Sequence, residues 1–147
     1  MSDTPETTDD FGPALAAMQA MNPDSLLHRM QIEVLEGTPH RVVGRMPVAG
    51  NTQPYGLLHG GASVVLAETL GSIGAALHAG PERIAVGLDI NATHHRAARS
   101  GFVTGTATAL SLGSTLASYE VVITDEQERR ICTCRITCLV RAAAPGA

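Results

Sequence analysis

The chain of 147 residues has no tryptophan, two phenylalanines and two tyrosines. Aromatic stacking therefore cannot dominate a binding pocket, and Tyr55 and Phe102 are the aromatic residues near candidate site segments. Charge is scarce as well, at 16% of residues against 44% hydrophobic, a balance that favours a folded body. Lysine is absent, and the net charge of −4 lacks the strongly basic face that nucleic acid demands. No nucleic-acid partner is expected. An uninterrupted apolar run of roughly 20 residues is missing too, because Glu68 and glycines break the best candidate, so no membrane partner is expected. The N-terminal MSDTPETTDD is acidic and lacks the basic-then-apolar order of a signal peptide. A cytoplasmic location is the expectation.

Cysteine is sparse but clustered, as CTCRITC with Cys132, Cys134 and Cys138. A metal site would need a fourth ligand and a turn-like CxxC, and the sequence has neither, so no metal and no cofactor are expected. The even spacing puts the three thiols on one face of a strand with Ile136 and Val140, where they pack as small hydrophobes. Free thiols also suit a reducing compartment.

What is present is one domain's worth of alternating and helical pattern, with no internal repeat. Residues 1–10 read as a disordered acidic tail, 11–141 as a single domain and 142–147 as a flexible C-terminal tail. FGPALAAMQAM (11–21) suits a short helix ended by Asn22-Pro23. Leu26–Glu36 and His40–Pro47 read as two strands, and a loop follows. Gly60 to Ala79 forms a long helix closed by Gly80-Pro81, apolar almost all round and therefore expected to be buried. Four strands follow, Arg83–His95, Phe102–Leu112, Thr115–Thr124 and Arg129–Arg141. The simplest way to bury the helix is an α+β fold with one antiparallel sheet wrapped around it.

Glu68 stands inside that apolar helix, flanked by Ala62, Val64, Val65, Leu66, Ala67, Leu70 and Ile73. A charge in such company costs several kcal/mol, on the order of the penalty for burying an ion, unless it is paired, hydrated or useful. Gln53, the tripeptide His59-Gly60-Gly61, Glu68 nine positions after the histidine and Ser72 one turn later form a spaced set, and VGLDINATHHRAARSG (86–101) adds a second segment. In these residues the chain resembles the hotdog-fold acyl-CoA thioesterases over about residues 28–141. It is most similar to the branch with 1,4-dihydroxy-2-naphthoyl-CoA, enterobactin-proofreading and one type of 4-hydroxybenzoyl-CoA thioesterase. The related phenylacetate-pathway enzymes usually carry Asp where this chain has Glu68. The resemblance implies a hotdog fold, an aromatic or similarly compact acyl group, and a homodimer or dimer of dimers with sites at the subunit interface.

The residues fit that chemistry. Backbone N–H groups in a helix's first turn lack intrahelical partners, so the Gly60 N–H is placed to polarise a thioester carbonyl. Glu68 lies eight residues on, about 12 Å along the same helix, too far for one carbonyl to meet both. Two helices antiparallel across a dimer would bring Gly60 of one subunit opposite Glu68 of the other. Glu68 then acts as general base on water or as nucleophile, and the sequence leaves both open. Ser72 either orients the water or bonds back to its own helix. Gln53 is a candidate donor to the carbonyl, His59 a supporting residue near it, and Gly61 and Tyr55 candidate substrate contacts. A Ser63-His59-Asp89 triad is rejected because no GxSxG elbow surrounds Ser63. Arg96 and Arg99 are candidates for the coenzyme A phosphates, or for those of an acyl carrier protein, with His94 on the pantetheine or phosphate side. The rival readings are a non-catalytic acyl-CoA-binding hotdog protein and a hydratase or dehydratase on the same fold.

Overall fold

A computed structural model describes residues 11–145. The elements run α1 (Gly12–Ala20), α2 (Leu26–Arg29), β1 (Glu33–Gly37), β2 (Arg41–Pro47), α3 (Gly60–Ala79), β3 (Arg83–His94), β4 (Phe102–Leu112), β5 (Leu116–Thr124) and β6 (Arg130–Ala142). The six strands form one antiparallel sheet in the order β1-β2-β4-β5-β6-β3. Helix α3 lies across its concave face, against β2, β3, β4, β5 and β6. The expected α+β architecture is the one observed, and it is the hotdog arrangement.

Small residues let the helix and sheet meet closely. A Cβ on Gly71 would lie 2.3 Å from Ile136 Cγ2, and one on Gly74 would lie 2.8 Å from the Tyr119 ring. Leu66, Ala67 and Leu70 from α3 pack there with Val42, Met46, Val121, Ile123 and Ile136, all buried. Burying each of the larger of these side chains contributes about 1.5–3 kcal/mol. Strand β5 alternates as its sequence requires, with Ala117, Tyr119, Val121 and Ile123 inward. Tyr119 reaches through the core and donates its hydroxyl hydrogen to the Pro39 carbonyl at 2.7 Å. Cys132, Cys134 and Cys138 are buried on the same inward face of β6 as Ile136 and Val140, with the first two sulfurs 3.6 Å apart.

Two expectations need correction. The strand expected over 26–36 begins only at Glu33, because Ser25 caps a short helix by accepting the His28 N–H, and Gln31, at φ 57°, turns the chain out of it. The helix expected to be buried all round is buried on one side only. Gly61 and Glu68 are exposed along its outer face, and Val65, Ser72 and Ala76 are only partly covered. By length and composition α3 also equals a membrane span, a property that here serves the core of the sheet. The acidic tail read over residues 1–10 lies outside the described residues, while β6 continues to Ala142, into the segment read as a C-terminal tail.

Strand β3 is an edge of the sheet and 12 residues long. It exposes Val86 and Leu88, and its register against β6 shifts between Gly87 and Asp89. Long apolar edges are unusual unless something covers them.

Candidate active site

The site is built around the first turn of α3. His59 is its N-cap, and its ring Nδ1 accepts the Gly61 N–H at 2.8 Å. Its carbonyl accepts the N–H groups of Ala62, at 2.9 Å, and Ser63, at 3.3 Å. Of the first four helix donors only the Gly60 N–H has no acceptor among the described residues. The Nδ1 acceptor role also fixes the tautomer of neutral His59, whose proton must sit on Nε2. The loop beneath is tied down by Asn51, which accepts the His59 N–H on its carbonyl and donates from its side chain to the carbonyls of Met30 and Pro47.

A pocket of about 390 Å³ opens beside Gly60, lined by Gln53, Leu57, Leu58, Gly60, Ser63, His94, His95, Arg96, Ala97, Ala98 and Ile131. The His94 ring stands so near that a Cβ on Gly60 would lie 3.1 Å from its Nε2. Gln53 accepts the Tyr55 N–H on its side-chain oxygen, which leaves its amide N–H groups to be donated elsewhere. Tyr55 itself is 88% exposed at the tip of the loop and does not line the pocket. Phe102 faces the outer side of the sheet beneath the Arg45 guanidinium, 4.7 Å from its ring centroid.

The chain leaves β3 at His94, so Arg96 and Arg99 sit on an irregular segment, not in strand alternation. Arg96 borders both the Gly60 pocket and a second cleft of about 390 Å³. Arg99 lines only the second, with Asp125, Glu126 and Arg129 across from it. Arg129 is paired with Asp125 at 2.8 Å, whereas Arg96 and Arg99 have no ion-pair partner among the described residues.

Glu68 is elsewhere. It lies over β3 in a separate hollow of about 130 Å³ with Gly87, Leu88, Asp89, Ile90 and Ile136, and a Cβ on Gly87 would lie 3.4 Å from its carboxylate. Ser72 turns toward β6, where it hydrogen-bonds the Cys138 thiol. Burial pushes that thiol up, the Ser72 bond opposes the shift, and the Glu68 charge adds to it. One chain thus brings together Gly60, Gln53, His59, Gly61 and His94, and separately Glu68 and Ser72. The rejected triad is not assembled: the Ser63 hydroxyl makes no hydrogen bond to the His59 ring, and Asp89 is beside Glu68. The sequence reading passed over the apolar pocket wall of Leu57, Leu58, Ala98 and Ile131. It also passed over the position of Ser63 facing the pocket, although its spacing of three from Gly60 was the available signal.

The comparisons with known proteins agree with this architecture. Residues 55–132 match the thioesterase superfamily. The proofreading thioesterase EntH of Klebsiella pneumoniae is 43% identical over 123 residues, covering 83% of this chain and 90% of that protein. The thioesterase HI1161 of Haemophilus influenzae superposes with a TM-score of 0.84 at 35% identity, covering 90% of this chain and 94% of that one. A mutant of thioesterase PA1618 from Pseudomonas aeruginosa gives 0.81 at 33% identity, covering 94% and 98%. The chain belongs to the thioesterase superfamily and is a thioester hydrolase with the hotdog fold.

Proposed function

We propose that the protein hydrolyses acyl-CoA thioesters with an aromatic or similarly compact acyl group, at a site shared between two subunits. The Gly60 N–H of one subunit polarises the thioester carbonyl, helped by the Gln53 amide. Glu68 of the other attacks it, directly or through water. Arg96 and Arg99 take the phosphates of coenzyme A, and the cytoplasm supplies both the substrate and the reducing conditions for three free thiols.

One observation carries this reading. The free Gly60 donor and the exposed Glu68 carboxylate belong to one helix but open into two different pockets. Along α3 their backbones are about 12 Å apart, so neither half-site can complete itself. The outer stripe of α3 and the unpaired apolar edge of β3 lie side by side with Glu68 between them. A second copy related by a two-fold axis would cover both and place each Glu68 near the other subunit's Gly60.

The test is subunit complementation. Glu68→Gln and Gln53→Ala are each expected to be nearly inactive on benzoyl-CoA and phenylacetyl-CoA. Random mixing gives mixed dimers in which one site keeps both intact half-sites, so about a quarter of wild-type activity should return. If the unfolded and refolded mixture stays as inactive as its parents while forming mixed dimers, the shared site is wrong.

A further inference from the structure

Ser63 is the buried polar side chain of the Gly60 pocket that the reaction outlined above leaves unused. It lies one helical turn beyond Gly60 on the same face, about 4.5 Å along the axis. The residue is 1% exposed, the only buried polar or charged one among the described residues, and it lines the Gly60 pocket. Its hydroxyl makes no hydrogen bond to any described residue. Thr69 in the same helix behaves differently, turning its hydroxyl back onto the Val65 carbonyl at 2.7 Å. Among the described residues no buried side-chain polar atom is sealed away without a partner, so the Ser63 hydroxyl opens into the pocket it lines. A hydroxyl held in such a place is costly unless something that enters the pocket bonds it.

The pocket has a direction. Leu58, Ala98 and Ile131 beside Ser63 are buried, whereas His95 and Arg96 are exposed at the rim. The charged nucleotide end of coenzyme A has to leave over the rim, so the closed end receives the acyl group. This step rests on the acyl-CoA reading above.

We propose that Ser63 is a specificity-determining residue, whose hydroxyl hydrogen-bonds a polar substituent on the acyl group, about one helical turn from the thioester oxygen. Such a group discriminates sharply, because an acyl group without the substituent leaves the serine unpartnered in the closed complex. It takes no part in breaking the thioester bond.

The experiment compares kcat/KM for wild type and Ser63→Ala on matched pairs, 3-hydroxybenzoyl-CoA against benzoyl-CoA and 3-hydroxyoctanoyl-CoA against octanoyl-CoA. In at least one pair the preference for the hydroxylated member should fall about 10-fold or more in Ser63→Ala, with the plain member cleaved at least as well as by wild type, since it no longer strands the hydroxyl. The proposal is overturned if the ratio does not move in either pair, or if both members fall together. A response in the octanoyl pair alone removes the aromatic preference and keeps Ser63. If the CoA esters are not cleaved, the same pairs as N-acetylcysteamine thioesters give the ratio, which separates failure of the coenzyme A reading from failure of this one.

Discussion

His59 consumes three of the four free N–H groups at the start of α3, Gly61 through its ring nitrogen at 2.8 Å and Ala62 and Ser63 through its carbonyl. Among the described residues the arrangement leaves the Gly60 N–H as the single open donor of that turn, which is the feature an oxyanion site requires. His59→Ala should lose the cap, costing about 1 kcal/mol and several degrees of Tm. It should also release the Gly61 N–H to compete for the substrate carbonyl, lowering kcat. His59→Asn restores a capping side chain and should recover most of the Tm. Identical melting curves for all three proteins would show that the ring is not a cap.

Gly60 has a second reason to be glycine. A Cβ there would press on the His94 ring at 3.1 Å and narrow the approach to the N–H. Gly60→Ala should leave the fold intact and reduce kcat/KM by about 10- to 100-fold, since a shift of roughly 1 Å in the bound carbonyl is enough for that loss. Shortening the obstructing side chain in Gly60→Ala/His94→Ala should not restore full activity if His94 also contacts substrate. Full wild-type activity in Gly60→Ala alone would remove the donor from the mechanism.

Gly71 tests the packing that holds α3 against the sheet. The Cβ of Gly71→Ala would fall 2.3 Å from Ile136 Cγ2, and overpacking of that kind costs about 1–3 kcal/mol. In a double-mutant cycle with Ile136→Ala the two losses should fall short of additive, because the clash disappears with the methyl group. Strict additivity in denaturant melts would mean that α3 and β6 do not touch there.

The sequence was most informative where one signal governed the local structure. The limits of α3 follow from His59-Gly60 at one end and Gly80-Pro81 at the other, and the strands after it follow from simple alternation. It was least informative at residues 26–32, where Leu26 and Leu27 have strand-like neighbours but Ser25 supplies a cap three residues before His28. Glu68 is the more instructive case. A helix apolar on all sides reads as buried in its own chain, yet pattern alone does not distinguish a surface covered by the same chain from one left for another. The structure leaves Glu68 exposed in one chain, so the anomaly belongs to the surface on which it lies.

The buried thiols and Tyr119 make the fold sensitive to alkali. Burial pushes the Tyr119 hydroxyl up, with Cys138 adding to it; burial likewise raises Cys138, and a hydrogen bond with Cys132 together with burial raises Cys134. Each is held neutral in the fold, whereas in the unfolded chain cysteine ionises near about 8.5 and tyrosine near about 10. Their contribution is therefore complete below about pH 8.5 and is lost as pH rises above it. Cys132, lowered by its bond to Cys134, opposes this in part. Tm should fall between pH 8 and 10.5, and less steeply in Cys138→Ala. A flat profile across that range would contradict the assignment.

The edge strand offers the most direct test of the assembly. Val86 is 38% exposed and Leu88 57% exposed on β3, beside the hollow that holds Glu68. A charge there would be desolvated if a second copy covers the edge, and a desolvated unpaired charge is prohibitive. Leu88→Arg should therefore run as a monomer in light scattering, keep its far-ultraviolet circular dichroism, and lose about 100-fold or more in thioesterase kcat, because each half-site is left without its partner. Leu35→Arg, equally exposed at 53% but on the opposite edge strand β1, serves as the control and should keep both its assembly and its rate. A Leu88→Arg monomer that cleaves thioesters at the wild-type rate would mean that one chain completes the site, and Glu68 would then need another role than attack.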